Sequence, residues 1–181
     1  MAVGVGVWMR DGAAQSVAVP MRLQAELLAK VAPYDRGFAG RARGRVLVLI
    51  VTKKGDAESE RVAEQIRAEL SVLPTIGGLP HSEEIVAYTS PQGIAELCRS
   101  RLPAIVYVSV GLLEPMEAIA SALSGLSVLS VAASAAYVPR RAVLGFDVES
   151  GKPKLVVHLG QAKLQQIAFK PELLTLARVI Q

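Results

Sequence analysis

The chain has 181 residues, of which 51% are hydrophobic, 20% charged and only 4% aromatic, and its formal net charge is +4. This length and apolar content predict one folded domain with a substantial core and exclude a disordered protein. Nucleic-acid binding is not expected, because basic residues are scattered among nearly as many acidic ones and aromatic residues are few. No apolar run reaches the roughly 18 residues that a membrane-spanning helix requires, so we do not expect the chain to span a membrane.

The first twenty residues lack the pattern of a folded element. An apolar stretch over 2–9 has no basic residues before it and is followed by charged ones. Residues 13–16, Ala-Ala-Gln-Ser, resemble the small-residue end of a cleaved secretory signal. We therefore predict a degenerate signal peptide or a disordered leader over 1–20, and a single α/β domain over 21–181.

The first half of this domain alternates between helical and extended patterns. Leucines and valines at helical spacing predict a helix over 22–32, and Pro33 ends it because the residue before a proline is pushed out of the α region. The polar, glycine-rich stretch 36–44 is predicted to be a loop. A continuous run of β-branched and leucine residues over 45–51 predicts a strand buried on both faces. Residues 58–70 form the clearest amphipathic helix.

The alternation continues through the second half of the chain. The elements predicted there, in order, are strand 84–88, helix 91–98, strand 104–110, helix 114–123 and strand 126–131. Right-handed crossovers between successive parallel strands place helices on both faces of the sheet. The pattern predicts an α/β fold, a single three-layer α/β/α sandwich around a mostly parallel sheet.

The last forty residues predict a β-hairpin followed by helices. Strands over 141–149 and 154–159 flank a turn in which Gly151 accepts a positive φ. The hairpin is expected to add antiparallel strands at the edge of the sheet. Two helical stretches follow, and the second runs over 169–180.

This C-terminal unit resembles the end of the YfiR/HmsC-like family of small bacterial periplasmic regulators. In that family a strand of pattern GR-x-x-F-x-I/V-N-L-x-x-A runs into a helix, and a tail of pattern F-S-S/P-x-L-L-x-L-A-R-V follows. The corresponding tail here, FKPELLTLARVI, occupies 169–180. The first helix and the strands at 45–51, 103–109 and 126–131 also resemble family segments in the same order, so the resemblance covers 22–181.

The chain departs from the family pattern at several positions. A glycine pair before the last hairpin is replaced by Pro139-Arg140-Arg141, and the asparagine before the penultimate helix by His158. The paired small hydroxyl residues before the last helix become Lys170-Pro171. Paired cysteines that often brace family members are absent, because Cys98 is the single cysteine. These changes affect the loop surfaces more than the fold, because the apolar pattern is retained.

Residues capable of catalysis or metal binding are few and dispersed. His81 and His158 are the only histidines, and no Cys, Asp or Glu stands at metal-ligand spacing from them. Lys53-Lys54 follows the first strand, where doubly wound sheets bind ligands, but without a phosphate-loop glycine pattern it is better interpreted as a surface loop. Cys98 is predicted to be a small buried residue rather than a redox group. We predict no catalytic, cofactor-binding or metal-binding residues and no enzymatic activity.

Two features remain as candidate contacts with another protein. Leu23, Leu27 and Val31 share one stripe of the first helix, and they could pack on the sheet or partly on a second copy of the chain. Arg140-Arg141, like the basic stretch within 36–45, could face an acidic partner or membrane headgroups. Solvated loops are the alternative, since isolated surface charges are common.

The resemblance implies a function that composition and spacing do not. It implies export to the periplasm and binding to the sensory domain of an inner-membrane diguanylate cyclase, which lowers cyclic di-GMP signalling and represses biofilm formation. A homodimer would suit a dimeric cyclase sensor. An alternative is a single-lobe periplasmic module that binds a small ligand, and a third is an enzyme with an unrecognised site. A cytoplasmic location stays open because the leader is atypical of a signal peptide.

Overall fold

The computed structural model describes residues 17–181, so the leader predicted over 1–20 lies outside the described residues except for its last four. Among those four, Val19 is only 1% exposed and packs in the hydrophobic core. The side-chain amide of Gln24 donates to the Val19 carbonyl oxygen at 3.0 Å. The residues just before 21 thus pack against the domain that follows them.

The described residues form seven strands and seven α-helices. The strands are β1 (Val46–Thr52), β2 (His81–Ala87), β3 (Ile105–Val108), β4 (Leu129–Ala132), β5 (Leu144–Glu149), β6 (Lys152–His158) and β7 (Arg178–Ile180). The helices are α1 (Met21–Val31), α2 (Phe38–Ala42), α3 (Ala57–Ser71), α4 (Pro91–Arg101), α5 (Met116–Leu123), α6 (Leu159–Leu164) and α7 (Pro171–Leu176). Single turns of 3₁₀ helix occupy Ala32–Tyr34 and Ala135–Tyr137.

All seven strands belong to one sheet, in the order β2-β1-β3-β4-β5-β6-β7. The first five strands in this order are parallel, β6 runs antiparallel to β5, and β7 runs parallel to β6. The predicted fold class, a mostly parallel α/β sheet with a C-terminal antiparallel pair, is confirmed.

Two hydrophobic cores lie on the two faces of this sheet. Val48 and Ile50 of β1 pack in one core with α1 and α3, whereas Leu49 and Val51 pack in the other with α4 and α5. Successive side chains of a strand point to opposite faces, so a strand with helices on both sides needs an uninterrupted apolar run. This explains why β1 could be predicted from its composition.

Two parts of the sequence prediction are wrong. The predicted loop over 36–44 contains α2, a five-residue helix too short to be stable alone and held by tertiary contacts, because Phe38 and Ala42 are buried. The predicted helix over 169–180 ends at Leu176, and the chain continues as β7. Because β7 pairs with the outer side of β6, the hairpin does not form the edge of the sheet.

Candidate functional site

Only part of the α1 stripe is accessible to a partner. Val31 is 3% exposed and belongs to the core, so its side chain packs on the sheet. Leu23 and Leu27 are half-buried and pack against the same core, which leaves each of them some accessible surface. Of the three residues predicted on this helix, Leu23 and Leu27 are therefore the ones that a second protein can touch.

Arg140 and Arg141 lie on the opposite face of the sheet from α1. Arg140 forms an ion pair with Glu117 of α5 at 2.9 Å, and Arg141 donates to the hydroxyl oxygen of Ser121 on the same helix at 3.2 Å. Since α5 packs in the second core and α1 in the first, the structure does not bring the two predicted contact regions together. Their role in partner binding stays a prediction.

The carboxyl ends of β1 and β3 meet where the strand order reverses, the usual ligand site of a doubly wound sheet. Here the hydroxyl groups form hydrogen bonds within the protein instead: Thr52 donates to Ser59 Oγ at 3.1 Å, and Ser109 donates to the Ser59 backbone carbonyl oxygen at 2.7 Å. The backbone N–H of Lys53 also donates to Ser59 Oγ. Asp56 is the N-cap of α3 and accepts from the Ser59 N–H at 3.0 Å. These polar groups are thus occupied within the fold.

His158 is the N-cap of α6. Its Nδ1 accepts a hydrogen bond from the Gln161 N–H at 3.3 Å and so caps the amino terminus of α6. Asparagine performs the same task at helix N-caps through its side-chain oxygen. Burial lowers the pKa of His158 below its ordinary value of 6.5, and the positive charge of Arg141 lowers it further. The neutral ring that capping requires is therefore favoured.

His81 contacts an acceptor oxygen with each of its ring nitrogens. Its Nδ1 contacts a carboxylate oxygen of Glu83, and its Nε2 lies 2.9 Å from the Leu73 carbonyl oxygen. Both ring nitrogens are therefore engaged within the protein. Within residues 17–181, no three His, Cys, Asp or Glu side chains cluster in a way that could hold a metal ion.

A buried ion pair anchors the segment around α2, which sequence analysis treated as a loop. Asp35 and Arg41 contact each other with nearly fully buried side chains, and Arg41 Nε donates to the Ala104 carbonyl oxygen at 3.1 Å. Asp35 Oδ1 also accepts from the backbone N–H groups of Gly37 and Ala168. The pair therefore joins the N-terminal segment to β3 and to the C-terminal segment. The sequence signal was a lone aspartate at the start of an arginine-rich stretch.

Cys98 is buried, in agreement with its predicted role. It is 5% exposed, and burial raises the pKa of its thiol to about 12. The sulfur is therefore protonated at neutral pH, which removes the thiolate that nucleophilic or redox chemistry needs.

Comparison with known sequences gives one family match. The YfiR/HmsC-like family model matches residues 23–178, which is most of the chain. A search of curated proteins found no match. No helix within residues 17–181 has the length and apolar character needed to cross a membrane.

Several solved structures share the fold at low sequence identity. An ABC domain from Streptococcus pneumoniae in complex with L-Trp aligns with a TM-score of 0.63 at 14% identity, over 89% of this chain. A conserved domain protein from Vibrio cholerae gives 0.59 at 15%, over 90%. A substrate-binding protein with adhesive properties from Clostridium difficile, in a ligand-free open form, gives 0.63 at 14%, over 90%. The chain spans only 62%, 60% and 60% of the lengths of these three proteins.

Proposed function

Because the chain belongs to the YfiR/HmsC-like family, we propose that it is a non-catalytic periplasmic regulator that binds the sensory domain of an inner-membrane diguanylate cyclase and represses it. The family match over residues 23–178 carries this proposal. The engagement of both histidines in structural hydrogen bonds supports a protein that acts by docking. Repression lowers cyclic di-GMP signalling and biofilm formation.

The physical basis of such repression is differential affinity. A regulator that binds the inactive conformation of the cyclase better than the active one shifts the population toward the inactive form. Moving a two-state equilibrium from 1:99 to 99:1 requires about a 10⁴-fold preference for one state. The proposal therefore requires tight binding to one cyclase conformation and weak binding to the other.

The two candidate contact surfaces suit a regulator that also forms a dimer. Leu23 and Leu27 lie on one side of the sheet and Arg140 and Arg141 on the other, so one surface is open to a second copy while the other meets the cyclase. We assign the apolar α1 surface to the second copy and the arginine loop to the cyclase.

Deletion of the gene tests the repressor role directly. We expect cyclic di-GMP to rise on deletion and to return when the full chain is restored, as measured by mass spectrometry of cell extracts. The R140Q/R141Q variant should restore repression less well than R61Q/R67Q, a matched control that removes two exposed arginines from α3. Unchanged cyclic di-GMP in a strain with a working cyclase partner would overturn the proposal.

The dimer and the export of the chain have separate tests. L23S/L27S should shift the purified protein to a monomer in light-scattering measurements, whereas R140Q/R141Q should not.

Fractionation of cells carrying a C-terminal epitope tag should place the protein in the periplasm, and retention in the cytoplasm would contradict export.

The second candidate function is a small-ligand binding module. It is favoured by the likeness of the fold to a substrate-binding protein, at a TM-score of 0.63. Such proteins commonly close two lobes on a ligand, whereas this chain covers 60% of that relative. A ligand that binds the purified chain while deletion leaves cyclic di-GMP unchanged would favour this alternative.

A further inference from the structure

A cavity of about 410 Å³ opens at the amino-terminal edge of the sheet, opposite the hydroxyl-filled carboxyl ends of β1 and β3. It lies between the carboxyl ends of α2 and α4 and the residues that lead into β3 and β4. Its volume falls within the range of pockets that bind small molecules. The lining residues are Gly40, Arg41, Arg43, Cys98, Arg99, Leu102, Pro103, Leu126, Ser127 and Val128.

Every charged residue in this lining is an arginine. Arg41 is buried and its charge is balanced by Asp35, so the net positive charge comes from Arg43 and Arg99. Neither of these two guanidinium groups forms a hydrogen bond or ion pair with any residue in 17–181. Most other arginines of this part of the chain are paired, as in Arg22–Glu26, Arg61–Glu58, Arg101–Glu84, Arg140–Glu117 and Arg178–Asp147.

Arg41, which lines the cavity, also has an unused donor. Arg41 Nε donates to Ala104 and Nη2 to Asp35, but the buried Nη1 has no hydrogen-bond partner. A buried guanidinium N–H without a partner is unfavourable, because it has lost its hydration without a replacement. A ligand oxygen that reached this nitrogen would supply the missing acceptor.

The backbone holds the cavity rim in a defined shape. Arg43 and Leu102 are the C-caps of α2 and α4, and both have left-handed backbone angles, with φ of 51° and 53°. Their N–H groups donate to the carbonyl oxygens of Ala39 and Cys98 at 3.2 and 3.0 Å, which closes each helix. Arg43 and Arg99, which carry the unpaired charges, therefore lie at helix ends of fixed geometry rather than on long loops.

The dipoles of α2 and α4 disfavour an anion in the cavity, because both helices point their carboxyl ends at it. They do not decide the sign of the electrostatic potential there. The carboxyl end of a helix carries about half a negative elementary charge, and only α4 is long enough for much of this effect. Arg43 and Arg99 together contribute two full positive charges at the same rim. The field in the cavity is therefore positive, although salt screens the exposed part of it.

We propose that this cavity binds a small organic anion, in which a phosphate or carboxylate group is attached to an apolar body. Guanidinium groups bind these oxyanions through paired N–H donors, whose fork matches the anion geometry. Leu102, Pro103, Leu126 and Val128 supply apolar walls for the rest of the molecule. This inference is independent of the cyclase partner, because it rests on the cavity alone.

Titration of the ¹⁵N-labelled full chain tests the site. The probes are phenyl phosphate, benzoate and the uncharged benzyl alcohol, at constant ionic strength. We expect at least one of the two anions to shift the amide signals of Leu102, Ser127 and Val128 in a saturable way, and benzyl alcohol to bind at least about tenfold more weakly because it lacks the charged hydrogen bonds. The stronger of the two anions identifies the headgroup.

The variant R43Q/R99Q should weaken anion binding about tenfold or more, because each lost charged hydrogen bond is of that order. The R61Q/R67Q variant changes the net charge equally on α3, which contributes no residue to the cavity lining, and should bind like the unmodified chain. Circular dichroism melts verify that both variants fold. Equal weakening in the two variants, unchanged binding in R43Q/R99Q, or equal binding of benzyl alcohol would overturn the proposal. Cyclic di-GMP levels play no part in this test, so its failure and that of the cyclase proposal are distinguishable.

Discussion

The polar groups at the two ends of the parallel strands, here called the carboxyl edge and the amino edge of the sheet, differ in their hydrogen bonding. At the carboxyl edge, Thr52, Ser59 and Ser109 bond to one another and to the backbone. At the amino edge, Arg43 and Arg99 remain free within the described residues, and Arg41 keeps an unused N–H. The topology of the fold indicates a ligand site at the carboxyl edge, whereas the unpaired donors indicate one at the amino edge. Our proposal of an anion site follows the unpaired guanidinium groups rather than the topology.

The largest effect is expected from breaking the buried ion pair at the amino edge. Asp35→Ala removes the partner of the buried Arg41 and leaves two backbone N–H groups without their acceptor. Loss of one member of a buried pair costs about 3–5 kcal/mol of unfolding free energy. Urea denaturation measures this loss. Asp147→Ala, which breaks the more exposed pair with Arg178, should cost at most about 1 kcal/mol.

A double variant separates charge burial from packing at the same place. D35L/R41M removes both charges, so no uncompensated buried charge remains. We expect it to be more stable than D35A, even though it also loses the bond from Arg41 to Ala104. If the double variant were the less stable of the two, the segment would depend on these hydrogen bonds more than on charge balance.

A smaller effect is expected at the carboxyl edge. Ser59→Ala leaves the buried Thr52 hydroxyl and the Lys53 N–H without their partner, at a cost of about 1–3 kcal/mol. Chemical denaturation gives the difference in unfolding free energy. Ser100→Ala is the matched control, since its exposed hydroxyl bonds only a carbonyl oxygen within α4. Equal stability of the two variants would mean that the carboxyl edge is not held by its hydroxyl groups.

The periodicity of apolar residues was sufficient to predict an element when that element's own apolar residues show which of its faces are buried. The apolar run of β1 and the amphipathic face of α3 each specify their environment, and both were predicted within a few residues. The five-residue α2 and the three-residue β7 are too short for such a pattern. Their existence depends on partners distant in sequence, Ala104 for Arg41 of α2 and strand β6 for β7.

The candidate sites were less accessible to sequence reasoning. A helical stripe identifies Leu23, Leu27 and Val31 as neighbours, but it does not show how deeply each one packs on the sheet. The cavity was beyond reach because Arg43 and Arg99 belong to helices far apart in sequence, and only the crossover topology brings those helix ends together. The arginine-rich stretch was visible in the sequence, but its division into buried and free members was not.

The smallest effect concerns pH and the cap of α6, which also begins at the amino edge. Because burial and Arg141 lower the pKa of His158 below 6.5, the unfolded chain binds a proton more readily than the folded one. Stability should therefore be complete above pH 6.5 and decline as the pH falls from there through the folded-state pKa. His158→Asn keeps a capping oxygen but cannot titrate in this range, so it should flatten this part of the profile. Thermal melts of both proteins between pH 5 and 8 measure the difference, and identical slopes would show that other groups control the acid response.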